Sequence, residues 1–321
     1  MELAGSGKLL GRVEGRCTAS EFFRMNKKLA REKSDSLLSQ TRRLLRRSDL
    51  KARKGLGQHF LVDGEVLDKI IDAAGLSPAD TVIEVGPGLG VLTRELAGRV
   101  GWVIAIELDS KLAAVLKKTL SPLDNVVILN EDVLGTDPKV LLQEQSPRFP
   151  AALRPYKVVA NLPYYITSPV LRHFLEASVK PDLMIVMVQK EVAEAIVAGP
   201  GQQSVLSISV QFYGKPVIVS YVPASSFYPA PEVDSAILKI DVYHRPAVDV
   251  DEEGFFRLVR AGFTAARKQA VNSLAQGLRL SRADVLNMLE EAGIEPRRRA
   301  ETFTLEEWAR LWRVFYREEK E

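Results

Sequence analysis

The chain has 321 residues, 46% hydrophobic and 26% charged, a composition typical of a soluble globular protein with room for two domains. Its single cysteine, Cys17, excludes an internal disulfide framework and a thiolate metal cluster. The sequence contains neither a run of about 20 apolar residues nor the apolar core of a secretory signal, so we predict a cytoplasmic protein. A transit peptide is the weaker alternative, because the basic N-terminal segment also carries acidic residues.

The N-terminal segment is the most basic part of the chain. Residues 1–50 contain 12 Lys and Arg but six Asp and Glu, an excess of +6 in a chain of net charge +3. This asymmetry favours a polyanionic partner, although a solvated basic tail explains it equally well. We expect residues 1–35 to form a mobile extension, with Met25 as an alternative start. Residues 37–47 predict a basic amphipathic helix followed by a basic loop at 51–61; its arginines are Arg42, Arg43, Arg46 and Arg47.

From about residue 65 to 241, short β-rich runs alternate with helical patterns. This alternation predicts an α/β fold with a mainly parallel sheet covered by helices. The last two strands are close enough to pair as an antiparallel edge hairpin, with residues 227–231 in the connecting loop. The predicted strands are Thr81–Val85, Val103–Ile106, Val126–Leu129, Lys157–Val159, Leu183–Val188, Val217–Tyr221 and Ala236–Asp241, with helices such as Leu89–Leu96 and Ser110–Leu120 between them.

After Pro246 only helical patterns remain. Ser281 with Asp284, and Thr304 with Glu307, predict helix N-caps with an acid three residues on. The break at 244–250 predicts a boundary between domains at 36–245 and 246–321, the second small and all-helical. Its predicted helices are Glu253–Ala265, Gln269–Leu274, Ser281–Ala292 and Thr304–Glu318.

A glycine turn, Gly86-Pro-Gly-Leu-Gly90, joins the first predicted strand to a helix, as in nucleotide-binding folds. Alone it is weak evidence, because any tight turn between strand and helix can require glycine. Glu107, 21 residues after Gly86, ends the next strand, where a carboxylate can accept both ribose hydroxyls of an adenosine ligand. Asp132 follows the third strand and can accept from an adenine amino group. Taken singly, each acid is explained as a helix cap or a solvated loop residue. Neither explains why acids follow successive strands.

The fourth strand ends in Asn161-Leu-Pro-Tyr164, which favours a methyltransferase over a dehydrogenase. The N6 amine of adenine is a poor nucleophile, since its lone pair is delocalised into the ring. The Asn161 side-chain oxygen, with the backbone carbonyl of Leu162 or Pro163, can hold the amine hydrogens, and Tyr164 can stack on the base. No strong base is then required. The alternative interpretation is a tight turn with a buried tyrosine.

With these motifs, residues 37–318 resemble the KsgA-type ribosomal RNA adenine dimethyltransferases. The resemblance implies a Rossmann-like class I methyltransferase domain that binds S-adenosylmethionine through His59, Leu61, Gly86, Gly88, Glu107, Asp132 and Asn161. The segments that carry it are Gly57-Gln-His-Phe-Leu61, Glu84-Val-Gly-Pro-Gly-Leu-Gly90, Ile106-Glu-Leu-Asp109, Asn161-Leu-Pro-Tyr164, Gln189-Lys-Glu191, Phe227-Tyr-Pro-Ala-Pro-Glu-Val-Asp-Ser235 and Phe263-Thr-Ala-Ala-Arg-Lys268.

The resemblance also gives roles to residues that are otherwise unremarkable. Phe227, which taken alone is more often a core residue, resembles a second aromatic that sandwiches the target base with Tyr164. The resemblance implies that Arg267 and Lys268 contact RNA phosphates in an RNA-binding helical domain. Taken alone, such basic clusters are usually solvated helix faces. Arg297-Arg-Arg299 is a similar case. Two positions depart from the family: many members have asparagine in place of His59, and some in place of Tyr165, where we expect only altered loop packing.

The implied function is dimethylation of two adjacent adenines in a hairpin loop near the 3′ end of small-subunit ribosomal RNA, with a role in small-subunit biogenesis. The implied partner is the immature small subunit, bound by a monomer without metal. An Erm-type methyltransferase of large-subunit RNA is the first alternative. A non-catalytic ribosome-assembly or transcription factor of the same fold is the second, and a nicotinamide dehydrogenase the third.

Overall fold

The computed structural model describes residues 36–318, except 51, 54, 56, 146–155 and 266. The predicted mobile extension at 1–35 and the alternative start at Met25 lie outside the described residues. Within this part of the chain, no helix is long and apolar enough to span a membrane.

A seven-stranded sheet forms the centre of the molecule, with strand order β4-β3-β2-β5-β6-β9-β7. The pairs from β4 through β6 are parallel, whereas β9 pairs antiparallel with both β6 and β7. The α/β fold and the antiparallel edge hairpin are therefore as predicted. The strands are β2 (Thr81–Val85), β3 (Trp102–Ile106), β4 (Val126–Leu129), β5 (Tyr156–Asn161), β6 (Leu183–Gln189), β7 (Gly214–Val222) and β9 (Ser235–Val242).

Helices cover the sheet because β2, β5 and β6 are buried almost throughout, so both faces need apolar partners. The helices up to β7 are α1 (Leu37–Arg47), α2 (Gly64–Ala74), α3 (Val91–Ala97), α4 (Ser110–Thr119), α5 (Pro138–Gln145), α6 (Thr167–Leu175), α7 (Lys190–Val197) and α8 (Val205–Tyr213). Those after the sheet are α9 (Glu252–Gly262), α10 (Ala270–Leu278), α11 (Arg282–Glu291) and α12 (Leu305–Glu318).

Both predicted N-caps in the C-terminal helices are present. The Ser281 hydroxyl accepts from the Asp284 N–H at 3.1 Å, and the Thr304 hydroxyl accepts from the Glu307 N–H at 3.1 Å. Each acid accepts in return from the backbone N–H of its cap residue. These capping boxes fix where α11 and α12 begin.

The hydrophobic core is continuous from the sheet into the C-terminal helices. The ring of Phe212 in α8 stacks on Phe255 in α9 at 5.0 Å and meets Phe256 edge-on at 5.1 Å. Residues 243–250, which carry neither helix nor strand, connect the two parts. The domain boundary predicted there stays a prediction, but α9 packs against α8 through these aromatic rings.

A second, two-stranded sheet positions the basic loop over the main sheet. β1 (Phe60–Leu61) pairs antiparallel with β8 (Phe227–Tyr228). Leu45 of the predicted basic helix, α1, belongs to the same apolar cluster as Phe60, and the Arg42 guanidinium lies 4.9 Å from the centre of the Tyr228 ring. The loop at 57–61, the loop at 227–231 and α1 are thereby held together beside the glycine turn.

Candidate active site

A cavity of about 190 Å³ opens at the carboxyl ends of β2, β3, β4 and β5. Parallel strands present their carboxyl ends at one edge, which is where open α/β sheets bind ligands. The predicted cofactor residues and the Asn161-Leu-Pro-Tyr164 motif all line this one cavity: His59, Leu61, Gly86, Gly88, Glu107, Asp132, Asn161, Leu162, Pro163 and Tyr164. Their roles in binding and catalysis remain predictions.

The glycine turn needs its glycines because its backbone is left-handed at Gly86 (φ 66°), Gly88 (φ 59°) and Gly90 (φ 78°). A Cβ atom at Gly88 would also lie 3.1 Å from the Phe60 ring. The Gly86 N–H donates to the carbonyl of Ile106 at 2.9 Å, which ties the turn to the end of β3. The turn therefore gives a ligand close access to backbone.

Glu107 is 6% exposed, and both of its carboxylate oxygens accept backbone hydrogen bonds. Oε2 accepts from the Gly88 N–H at 3.1 Å and Oε1 from the Asp109 N–H at 2.9 Å. Burial raises the pKa of Glu107, and these two hydrogen bonds act in the opposite direction. The carboxylate is thus fixed in position at the cavity wall, as an acceptor for a pair of hydroxyls must be.

Asp132 lies on the same wall but is exposed. Its Oδ1 accepts from the Leu134 N–H at 3.0 Å and caps a short 3-10 turn, Val133–Gly135. Asn130 donates from Nδ2 to the Glu107 carbonyl at 2.8 Å, which joins the ends of β3 and β4. Asp132 is therefore held at a fixed distance from Glu107, with Oδ2 left for a ligand.

Glu84 is a further acid in the cavity wall, to which the sequence assigned no role. It is 1% exposed at the end of β2, and burial raises its pKa to about 8. The Thr93 hydroxyl lowers this pKa, and the negative charge of Glu107 raises it. Near pH 7 Glu84 therefore carries its proton and contributes no full negative charge to the cavity wall.

Asn161 is held by the loop that carries His59. Its Nδ2 donates to the His59 carbonyl at 3.1 Å. A carbonyl oxygen only accepts, so this bond fixes the amide orientation and leaves Oδ1 as the acceptor. The His59 ring donates from Nδ1 to the Pro229 carbonyl at 2.8 Å. Its other ring nitrogen, Nε2, is left for a different partner. These two bonds join the loops at 57–61, 161–164 and 227–231.

The turn after β5 distinguishes the two carbonyl groups predicted to assist Asn161. The Pro163 carbonyl accepts from the Ile166 N–H at 3.1 Å and closes the turn. The Leu162 N–H, just after β5, donates to the Met187 carbonyl of β6 at 3.2 Å, and the Leu162 side chain is 2% exposed. The Leu162 carbonyl is therefore the better candidate for a second acceptor.

Tyr164 is anchored at both ends of its side chain. Its hydroxyl lies 2.7 Å from the Ser235 hydroxyl, and its ring stacks on His59 with centroids 5.9 Å apart and an interplanar angle of 23°. Burial raises the pKa of Tyr164, and the bond to Ser235 acts in the opposite direction, so the phenol is neutral near pH 7. A neutral, fixed aromatic ring suits stacking on a planar base.

Phe227 does not line the cavity, and it is 4% exposed in the core cluster that includes Leu61 and Ile237. Its predicted role as the second stacking ring stays a prediction, which requires the ring to leave this core.

The predicted RNA-binding residues lie outside the cavity. Arg46 and Arg47 are exposed at the end of α1, Arg43 is half-buried, and Arg42 covers Tyr228. Arg267 and Lys268 are exposed between α9 and α10. Arg298, by contrast, pairs with Glu307 at 2.6 Å and so anchors the start of α12.

Sequence reasoning missed Ser235, which anchors Tyr164, and Glu84, which faces the cavity. Both residues lie inside motifs that carry the family resemblance. These motifs identify the segments that form the site, but not what the Ser235 and Glu84 side chains do in it. The described residues include no group of three or more His, Cys, Asp or Glu side chains arranged to bind a metal ion.

Comparisons with known proteins agree with this geometry. The chain is 52% identical over 288 residues to a ribosomal RNA small subunit methyltransferase A of Dehalococcoides mccartyi, covering 89% of this chain and 96% of that protein. A protein of the same name from Moorella thermoacetica is 46% identical over 274 residues, covering 84% and 95%.

Two solved structures share the fold and part of the sequence. A dimethyladenosine transferase from Plasmodium falciparum has a TM-score of 0.65 and 26% identity, covering 81% of this chain and 98% of its own. The 23S rRNA methyltransferase ErmE has a TM-score of 0.62 and 29% identity, covering 79% and 98%. The family described as ribosomal RNA adenine dimethylase matches residues 49–315, and the chain belongs to this family.

Proposed function

We propose that the chain transfers two methyl groups to the N6 amine of each of two adjacent adenines, in a hairpin loop near the 3′ end of small-subunit ribosomal RNA. The observation that carries the proposal is the Asn161-Leu-Pro-Tyr164 turn, whose amide oxygen and aromatic ring line the same cavity as Glu107. We further propose that the immature small subunit is the substrate, bound by a monomer in the cytoplasm.

The methyl donor of this family is S-adenosylmethionine, which supplies an electrophilic methyl group on a positively charged sulfur. The cavity fits it: Glu107 suits the ribose hydroxyls, Asp132 the adenine amino group, and the glycine turn close backbone contact. We expect His59 and Leu61 to close this site from the β1 side.

The chemical task of the chain is to orient the target amine. The Asn161 Oδ1 accepts one amine hydrogen and the Leu162 carbonyl the other, which turns the nitrogen lone pair out of conjugation and toward the methyl group. Formation of the nitrogen–methyl bond would break the methyl–sulfur bond of the donor and leave a neutral thioether, and the cationic nitrogen would then lose a proton to water. This chemistry needs position rather than a strong base.

Tyr164 provides the stacking surface for the extruded base, held by Ser235 and His59. Loop bases are unpaired, so extruding one costs less than opening a duplex. The second wall of the base pocket is Phe227 in our proposal, after a local rearrangement that releases its ring.

The small-subunit assignment is supported by the relatives that carry this name at 46% and 52% identity. The 23S rRNA methyltransferase ErmE is 29% identical and shares the fold. An Erm-type activity is therefore the second candidate. A non-catalytic assembly factor is disfavoured, since Glu107, Asp132 and the Asn161 motif are intact, although an additional assembly role is compatible with catalysis.

The test is transfer of tritium from labelled S-adenosylmethionine to small ribosomal subunits that lack these methyl groups and, separately, to large-subunit RNA. We expect label in N6,N6-dimethyladenosine of small-subunit RNA. Asn161→Ala should reduce the rate by about 100-fold or more, because a positioned acceptor is lost. The matched control is Asn287→Ala, an exposed asparagine on α11.

Label confined to large-subunit RNA would favour the Erm-type candidate. Subunit binding without transfer of label would favour the non-catalytic assembly factor. Equal rates in the Asn161→Ala and Asn287→Ala variants would contradict the role of the Asn161 amide.

A further inference from the structure

Tyr165, the residue after the catalytic turn, presents an open aromatic ring at the mouth of the cavity. It is 54% exposed, more than Leu108 at 50% and Leu134 at 37%, which also line the cavity. Covering such a ring with a planar group removes apolar surface from water, which is favourable. The exposed ring of Tyr165 is therefore accessible to a planar group at the mouth of the cavity.

The backbone at Tyr165 is fixed even though the ring is open. Residues Tyr164–Ile166 form a 3-10 turn, closed by the bond from the Ile166 N–H to the Pro163 carbonyl. Successive side chains in such a turn diverge by about 120°. Tyr164 points inward to Ser235, so Tyr165 points away from it, outward from the same rigid turn.

The backbone of Gly57 lies beside the ring of Tyr165. A Cβ atom at this position would lie 3.6 Å from Tyr165 Cδ1, so the ring rests beside bare backbone in a left-handed turn (φ 56°). Two residues on, His59 stacks on Tyr164. The turn that carries Tyr164 and Tyr165 therefore lies beside the loop at 57–61, which contacts both side chains' surroundings through Gly57 and His59.

We propose that Tyr165 is a second stacking platform, which binds the nucleotide base next to the target adenine when the target stacks on Tyr164. This inference rests on the proposed function and extends its substrate site. A base next to an extruded one loses a stacking partner, and an aromatic side chain replaces that partner. Because the substrate carries two adjacent adenines, the platform also holds one while the other reacts.

The test compares Tyr165→Ala, Tyr165→Phe and Tyr221→Ala. Tyr221 is the matched control, a tyrosine 52% exposed on the edge strand β7 and outside the cavity lining. The measurements are KM and kcat with unmethylated small subunits, and the dissociation constant of S-adenosylmethionine by calorimetry. Tyr165→Asn also removes the ring and keeps the test decisive if the alanine variant folds poorly.

We expect Tyr165→Ala to raise KM for the subunit by about five- to 100-fold, the range for loss of one stacked base. Tyr165→Phe and Tyr221→Ala should stay within about twofold of wild type, since phenylalanine stacks as tyrosine does. Cofactor affinity should be unchanged in all variants.

An unchanged KM in both Tyr165→Ala and Tyr165→Asn would overturn the inference. A parallel loss of cofactor affinity would also overturn it, because the ring would then be a wall of the cofactor site. The failure of the proposed function is distinguishable, since in that case the wild-type chain itself transfers no methyl groups to small subunits.

Discussion

At the scale of single residues, the buried carboxylate of Glu107 gives a sharp prediction. In Glu107→Gln, the new amide NH₂ faces the backbone N–H of either Gly88 or Asp109. Two donors cannot bond to each other, so one hydrogen bond is lost. Loss of a charge-assisted acceptor should weaken S-adenosylmethionine binding by about 10- to 100-fold. Isothermal calorimetry measures this, with Glu131→Gln as the control, an exposed acid in the same cavity wall. Equal affinities of the two variants would contradict the role of Glu107.

Glu84 should make stability depend on pH. Its pKa of about 8 in the folded chain lies above the ordinary 4.5, so the folded state keeps a proton that the unfolded state releases. Its contribution to stability is fully present below pH 4.5 and is lost as pH rises through 8, with a slope of up to about 1.4 kcal/mol per pH unit.

Denaturant unfolding between pH 5 and 7.5 should therefore show a flatter profile for Glu84→Gln than for the wild type. Glu131→Gln, at an exposed site, should leave the slope unchanged. Parallel profiles for the wild type and Glu84→Gln would show that the buried carboxyl ionises without cost.

At the scale of elements, we expect α1 to bind RNA through the exposed arginines of its last turn, Arg46 and Arg47. Reversing both charges should weaken binding to small subunits by at least tenfold, and reduce the slope of log affinity against log salt by about 2. Binding of S-adenosylmethionine should not change, because neither arginine lines its cavity.

The matched control reverses Lys117 and Lys118, two exposed cations in the last turn of α4. Reversing Lys117 and Lys118 changes the net charge of the chain by the same amount as reversing Arg46 and Arg47. If both pairs weakened RNA binding to the same extent, the effect would come from net charge, and α1 would have no specific role.

The contact between α9 and α10 depends on a glycine. A Cβ atom at Gly277 would lie 2.5 Å from the Ala261 Cα, which is backbone and cannot move aside. Gly277→Ala should therefore lower the free energy of unfolding by about 2 kcal/mol or more. Gly64→Ala, in a helix with open space around it, should be neutral or slightly stabilising in denaturant titrations. Equal stabilities would contradict the close packing.

α8 shows where local sequence misleads. Within α8 (Val205–Tyr213), residues 206–212 alternate apolar and polar side chains, as in a strand, yet they form a helix. The Ser204 and Ser207 side chains make a capping box at its start, and Phe212 is fully buried against α9. Packing from distant parts of the chain outweighs the intrinsic strand preference of the β-branched residues.

For the whole molecule, the continuous core predicts cooperative unfolding of the sheet and the C-terminal helices. Phe255 is fully buried against Phe212, so Phe255→Ala should cost about 3–5 kcal/mol and lower the temperature of a single calorimetric transition. Tyr243→Ala, at a side chain 38% exposed near the same junction, is the control. Two separate transitions, of which only one shifts, would instead show two independent domains.

The sequence by itself predicted the alternation of strands and helices, the edge hairpin and many of the residues that line the cavity. These depend on periodicity, glycine turns and motifs, all local in the chain, and on the rule that parallel strands bring their carboxyl ends together. Tertiary structure decided which side chains are covered. It buried Phe227, placed Arg42 over Tyr228, paired Arg298 with Glu307 and left Tyr165 open, because burial depends on contacts between segments far apart in sequence.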